Sequence, residues 1–377
     1  MRRDRRMTLR PWQRRAAGVV AIGAALILTG CSSSAGGAGP VGSASTATVD
    51  AMKPVTEVDG PTEAFTPTPG KRILVLVCGS GGQGCALEGD EQKRAAEALG
   101  WQVDLVDGQL DPKVWNQAVQ QAVDSGVDGI IAISADPNLY GAAMESVRAK
   151  NVPFVLTNQT PQQSDVQGID TYIATDPVKG GNDVTDWIVA DSGGQAKVLL
   201  LDLPGYRDAM TRTKTIDDDL AKDCPGCVVY RSDISVQTMG TSLAAQVTSQ
   251  LQQHPDVDYV WSADDAAASF VAQGIQQAGR GSSVKLVSMG GFPDQLARVQ
   301  TGQVAADLAT ATPYTAWLAV DSLARIIAGQ PAEPYWPIPQ RLWTTANIAE
   351  GDEQMLDVGW DTDFDFMNAF KTMWGIK

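Results

Sequence analysis

The sequence predicts an α/β fold made of two doubly wound, Rossmann-like lobes of parallel sheet with a ligand cleft between them. Three observations lead there. From Lys71 onward, short aliphatic runs alternate with amphipathic segments, the pattern of parallel strands covered by helices. That alternation breaks near Tyr172-Ile173-Ala174-Thr175 and then restarts as a second set of similar length. In open α/β sheets a ligand sits beyond the carboxyl ends of the strands, so two such lobes facing one another enclose a cleft.

The first set opens with a predicted strand, Ile73-Leu74-Val75-Leu76-Val77, then a glycine loop and a helix from about Leu87 to Leu99. Strand Val103-Asp104-Leu105-Val106 and a helix near Pro112 to Ser125 follow. Strand Gly129-Ile130-Ile131-Ala132-Ile133, a helix from Asn138 to Lys150 and strand Val152-Pro153-Phe154-Val155-Leu156 complete it. In the second set a helix near Gly180 to Ala190 precedes strand Val198-Leu199-Leu200-Leu201. Further strands are expected at Val228-Val229-Tyr230, Tyr259-Val260-Trp261 and Leu286-Val287-Ser288-Met289, with helices near Gly240 to Gln253 and Ala266 to Ala278. In the tail, Phe366, Phe370 and Trp374 recur at i, i+4, i+8, which predicts a short helix docked on the body.

The loop Gly79-Ser80-Gly81-Gly82-Gln83-Gly84 spells GxGxxG, and Asp107 ends the next strand. Such a motif alone is weak evidence for a dinucleotide. Cys78 and Cys85 bracket the loop, so it reads as a tight, disulfide-closed turn lining the cleft, and no cofactor is expected. One histidine, His254, and no Gly-x-Ser-x-Gly elbow argue against hydrolase chemistry, and the chain does not read as an enzyme. Asp217-Asp218-Asp219 reads as a solvated face. Asp264-Asp265, just past a strand, reads as a cleft position.

Seven arginines crowd residues 1–15, and an apolar run from Ala16 to Leu28 follows. That run is too short to span a bilayer, which needs about 20 residues. Residues 1–30 therefore read as a signal peptide. Leu28-Thr29-Gly30-Cys31 resembles the bacterial lipobox, which makes Cys31 a lipidated first residue. Residues 31–70, rich in Ser, Gly, Thr, Pro and Ala, read as a flexible tether. The expected location is the extracytoplasmic face of the cell membrane, held by lipid. Formal charge is −15 for the chain; the signal carries seven Arg and one Asp, which puts the remainder near −21. An acidic surface argues against nucleic acid as a partner.

Four cysteines remain for an oxidising compartment. Of three possible pairings, the short spacings favour Cys78–Cys85 and Cys224–Cys227. Cys224-Pro225-Gly226-Cys227 has the form of a redox CxxC, but it leads into a strand rather than a helix, which favours a structural bridge. An extracytoplasmic redox protein stays as an alternative function.

Six pieces in order carry a resemblance: Glu91 to Trp101; Val127-Asp128-Gly129-Ile130-Ile131 with Ser134-Ala135-Asp136; Asn151-Val152-Pro153-Phe154-Val155; Ile173-Ala174-Thr175-Asp176 with Gly180-Gly181; His254-Pro255-Asp256-Val257; and Asp264-Asp265 with Ala278-Gly279. Together they resemble the type I periplasmic binding proteins of sugar ABC importers, the ribose-binding-like group. The resemblance implies a monomer that captures a small solute by closing its lobes about a multi-strand hinge near Thr175, Thr310 and Ile338. It further implies delivery to an ABC permease. A sensor presenting its ligand to a membrane kinase is the alternative use of the fold. It divides the body into an N-terminal lobe, 71–174 and 291–330, and a C-terminal lobe, 175–290 and 331–377.

The resemblance also implies contact positions, many of them substituted. Asn158 and Gln159 stand where the family has an Asp-Arg pair. Met210 stands at the family arginine, with Arg212 on a more structural neighbour. Asp264, Gly290 and Thr310 fall on further contact positions, Gln83 lies in the first loop, and Asp136 lies near the edge. Trp261 and Phe292 are candidate stacking surfaces, each equally at home as packing. With Arg207 as the one nearby cation, the expected ligand is a neutral, sugar-like molecule.

Overall fold

The computed structural model describes residues 48–352 and 354–376. The predicted signal, Cys31 and the tether up to residue 47 lie outside them. The first sheet takes β1 (Arg72–Val77), β2 (Gln102–Asp107), β3 (Gly129–Ile133), β4 (Phe154–Thr157) and β5 (Thr171–Thr175), connected through α1 (Gln83–Ala98), α2 (Pro112–Ser125) and α3 (Gly141–Lys150). The chain then crosses to a second sheet through α4 (Pro177–Ser192), β6 (Lys197–Asp202), α5 (Arg207–Asp223), β7 (Val228–Asp233), α6 (Leu243–Gln253) and β8 (Tyr259–Ser262). There α7 (Asp265–Gln277), β9 (Lys285–Gly290), α8 (Pro293–Gln300) and β10 (Ala306–Thr310) complete the run. It returns with α9 (Thr312–Ile327) and β11 (Tyr335–Ile338), then crosses again to β12 (Gln340–Thr344), α10 (Met355–Val358) and α11 (Phe366–Trp374).

Strand order is β11-β5-β4-β3-β1-β2 in one sheet and β12-β10-β9-β8-β6-β7 in the other. Every described pair is parallel except β10 with β12. Both orders reverse beside their first strand, at β1/β3 and β6/β8, the switch points where α/β sheets open a crevice. Alternation of side chains explains why the strands are aliphatic throughout. Ile73, Val75 and Val77 join the core on one face of the first sheet, and Leu74 and Leu76 join a separate core with α2 and α3 on the other. Helix starts are written in the sequence: Asp111 and Asp176 accept the backbone N–H of Lys113 and Val178, with Pro112 and Pro177 as first helical residues.

The expected lobe boundaries need correction. Residues 293–310 (α8 and β10) belong with the second sheet, whereas β11, expected in the C-terminal lobe, is an edge strand of the first. The terminal helix α11 also sits with the first lobe. Its Phe366, Phe370 and Trp374 are buried, and Trp374 stacks on Trp317 of α9 at 5.4 Å while donating its Nε1 to Asp321 Oδ1 at 2.7 Å. A long helix, α5, fills what read as a solvated acidic stretch. Ile216 and Leu220 anchor it, and the aspartates line its outer face.

Residues 48–70, expected as part of a flexible tether, are bound to the body. Ala51 is buried, the Met52 carbonyl accepts Arg341 Nε at 3.0 Å, and Val55 N donates to Asp363 at 2.6 Å. Further along, Glu63 O accepts from Arg325 and Thr68 O from Trp101 Nε1. This strap runs from β12 of the second sheet to α9 and the end of α1 in the first, held by bonds to its backbone and by Ala51, Met52, Val55, Val58 and Phe65 packed on the core. Among the described residues no helix is long and apolar enough to cross a membrane.

Candidate ligand-binding cleft

The carboxyl ends of both sheets face a shared cavity of about 420 Å³. From the first lobe it is lined by the glycine loop, Glu88, Leu110, Ser134, Asn158, Gln159 and Thr175. The second lobe contributes Tyr206, Asp208, Arg212, Asp264, Phe292 and Thr310, among others. Ser134 and Asn158, at the ends of β3 and β4, hold left-handed backbone with φ of 51° and 59°. Such conformations are costly for side chains other than Gly and concentrate at binding sites. Asn158 Nδ2 bonds both Ser134 Oγ (3.2 Å) and Glu88 Oε2 (2.6 Å), which ties the two turns together.

Glu88 is the charged centre of the first lobe's wall. It accepts from Thr157 Oγ1 at 2.5 Å, Asn158 and Gln92, yet burial outweighs these bonds and pushes its carboxyl up to about 7. Opposite it, Asp264 caps α7 by accepting Ala266 N at 2.7 Å, and burial pushes it up to about 6. Arg212 is 3% exposed, and burial pulls it down to about 10 against the attraction of Asp208, Asp264 and Asp176. Its Nη2 reaches Thr175 Oγ1 at 3.3 Å, while its Nε has no partner. Gln159 Oε1 and Thr310 Oγ1 are likewise buried and unpartnered. Arg207 Nε is unpartnered too, so four such atoms, in a class that is nearly always bonded, gather on residues lining one cavity.

Besides Arg212–Thr175, two further contacts join the lobes across the cleft. Arg207 forms a two-pronged ion pair with Asp165, which also accepts from Tyr172 Oη, Asn138 Nδ2 and Gln162 N. Burial works against that carboxylate, but these bonds together hold it below the ordinary value. Next to it, Asp208 accepts Thr160 N at 2.8 Å and Thr160 Oγ1 at 2.9 Å.

Of the expected contact residues, the structure brings Gln83, Asn158, Gln159, Arg207, Asp264, Gly290, Phe292 and Thr310 to the cleft. Three others stand elsewhere. Asp136 caps the short 3-10 helix Pro137–Tyr140 by accepting Asn138 N. Met210 points to solvent, 41% exposed, because α5 turns that face outward. Trp261 is wholly buried in the second lobe, with Nε1 donating to Thr213 Oγ1 at 3.1 Å, so it is packing. Arg207 lines the cleft as expected but is paired with Asp165, and Arg212, expected on a more structural neighbour, lines it as well. Glu88, Asp208 and Phe270 were missed. One helical turn before the Gln92 position, Glu88 shares a face with the glycine loop, a spacing that could have flagged it.

The cysteine sulfurs stand at bonding distance in both expected pairs, with Cα atoms 6.0 Å apart for Cys78–Cys85 and 5.3 Å for Cys224–Cys227. Cys78 and Cys85 line the cleft. Cys224 and Cys227 lie ahead of β7, at the end of the second sheet away from it.

A family model described as the periplasmic binding protein domain matches residues 73–331. The ribose import binding protein RbsB of Bacillus subtilis is 26% identical over 253 residues, 67% of this chain and 80% of that protein. A galactofuranose binding protein superposes with a TM-score of 0.70 at 21% identity, covering 77% of this chain and 100% of the other. An ABC transporter solute binding protein from Agrobacterium vitis with bound allitol gives 0.66 at 20% identity, covering 74% and 97%. The match takes in strands of both sheets and stops short of the strap and the terminal helix. With two sheets opening at paired switch points onto one cleft, and a model matched over most of its length, the chain belongs to the periplasmic binding protein domain family, in the ribose-binding-like type I form.

Proposed function

We propose that this protein is an extracytoplasmic receptor, anchored by lipid on Cys31, that captures a small hydroxylated solute and delivers it to an ABC importer. The observation that carries the reading is the set of unpartnered buried polar atoms, Gln159 Oε1, Arg212 Nε and Thr310 Oγ1, around a cleft between two lobes. Donors and acceptors in that mixture suit hydroxyl groups, which do both. The named relatives and neighbours, ribose, galactofuranose and allitol binders, support the same class. Glu88, Asp208 and Asp264 outnumber the free guanidinium of Arg212, which favours a neutral or cationic ligand over a sugar phosphate.

Capture works by hinge closure. The chain passes between lobes three times, after Thr175, after Thr310 and after Ile338, and short crossings of this kind absorb a rotation. Arg207–Asp165 and Asp208–Thr160 form only when the lobes meet, so they hold the closed form a permease would read. The test is a thermal-shift screen of the purified protein over sugars and polyols, followed by small-angle scattering with each hit. A stabilising polyol that also compacts the protein supports the proposal. Tight binding of a sugar phosphate, or a ligand that produces no compaction, would overturn the charge or the closure part respectively.

A further inference from the structure

We infer that the solute is amphiphilic: a hydroxylated head at the hinge end of the cleft joined to an apolar group, alkyl or aryl, at the far end. The inference rests on the receptor reading above and concerns the class of its ligand.

The sheet orders lay the lining residues out along the cleft. In the first sheet β5 and β4 stand on the hinge side and β2 at the far edge; in the second, β10 is on the hinge side and β7 at the far edge. The hinge half holds the unpartnered atoms of Gln159, Arg212 and Thr310. The far half is different in kind. Leu110 follows β2, Val236 and Met239 follow β7, and Phe270 lies beside them, its ring 3.9 Å from where a Cβ on Gly240 would stand. Among the lining residues beside them, polar atoms come from the backbone of the glycine loop and the exposed Gln83.

A sugar hydroxyl pressed against Val236, Met239 or Phe270 would lose its water and find no partner there. Phe270 offers the far half one flat face, but Leu110, Val236 and Met239 around it give a ring's hydroxyls no partner. An alkyl or aryl group in the same place gains the free energy of apolar burial. Phe292 divides the halves. It comes from the second lobe and lies directly over Gly84, where an added Cβ would stand 2.6 Å from its Cζ.

The test begins with a neutral apolar probe, N-phenyl-1-naphthylamine, titrated into the intact purified protein. Saturable one-to-one fluorescence enhancement is expected. Val236→Asp and Phe270→Asp should each weaken it by about tenfold or more, with circular dichroism confirming both folds, while the same change at the solvent-facing Met210, Met210→Asp, alters it by less than about twofold. No saturable signal, or a signal that Val236→Asp leaves unchanged, overturns the inference. A second arm compares thermal shifts by free ribose, galactose and xylitol with those by the phenyl and hexyl glycosides of the two sugars. Larger shifts with the glycosides support the inference. Free sugars that match their glycosides overturn it and leave the receptor reading intact. Probe binding with no shift from any sugar or glycoside upholds the apolar half and removes the sugar reading.

Discussion

Two buried arginines do opposite work. Arg341, behind the hinge, is fully buried: Nε donates to Met52 O, Nη1 to Asp363 at 2.9 Å and Nη2 to Glu350, and its plane lies 3.9 Å over the Trp343 ring. It joins the strap, β12 and the C-terminal segment in one knot. Arg212, in the cleft, is just as buried yet holds only Thr175 and leaves its Nε bare. A guanidinium with all three nitrogens bonded is a structural joint. One with an unbonded nitrogen, at the edge of the cleft, is what the proposed ligand role draws on.

The comparison breaks most severely at Arg341. Arg341→Ala takes one bond from each of two carboxylates and a carbonyl and opens a cavity, which should lower unfolding free energy by about 3–5 kcal/mol. Urea unfolding measures this, and ligand affinity measured below the transition should stay near that of the wild type. A loss under 1 kcal/mol (about one neutral hydrogen bond) would mean that the knot is incidental.

Glu88 gives the next largest effect, and its sign follows from proton binding. Its carboxyl has a reference value of 4.5 and is pushed up to about 7 in the folded protein. The folded state therefore binds more protons between those values, so this contribution is fully present below 4.5 and is lost as pH rises through 7. At 1.36 kcal/mol per unit the loss is roughly 3 kcal/mol. Glu88→Gln should remove that slope, so its stability relative to the wild type climbs between pH 4.5 and 8. Parallel pH profiles for the two proteins would contradict this.

Thr310→Val sharpens the contrast on the cleft side. It deletes an unpartnered buried hydroxyl at almost constant shape, so the unliganded protein should gain about 1 kcal/mol while the ligand loses a similar amount. Calorimetric titration and urea unfolding should move in opposite directions. The smallest effect belongs to Trp374→Phe, which keeps an aromatic ring against Trp317 but loses the bond to Asp321, about 0.5–1 kcal/mol in urea midpoint terms.

Strands and capped helices were legible because their causes are local: aliphatic runs, Asp-Pro starts and the i, i+4, i+8 aromatics of the tail. Lobe membership was less so, because β11 and α11 join the first lobe, and α8 and β10 the second, by long-range contacts that no short window contains. The strap escaped for the same reason, being held by Arg341, Arg325 and Trp101 from far along the chain. In the cleft, residues on turns after strands were readable by position. Arg212 and Glu88 were not, since both sit inside helices and only packing shows which face looks inward.

The return of the chain to its first sheet sets the order in which the molecule is made. Helix α9 covers the face that exposes Ile131, Val155 and Ile173, and β11 closes the edge at β5, yet both are synthesised only after the second sheet up to β10. A long loop must close before those contacts can form, and non-local topologies of this kind fold slowly. The emerging chain therefore carries a bare apolar face until its last fifth arrives, in roughly the regime where holding factors act on nascent proteins. A truncation before Thr312 would dismantle the first lobe, whose strands it leaves untouched.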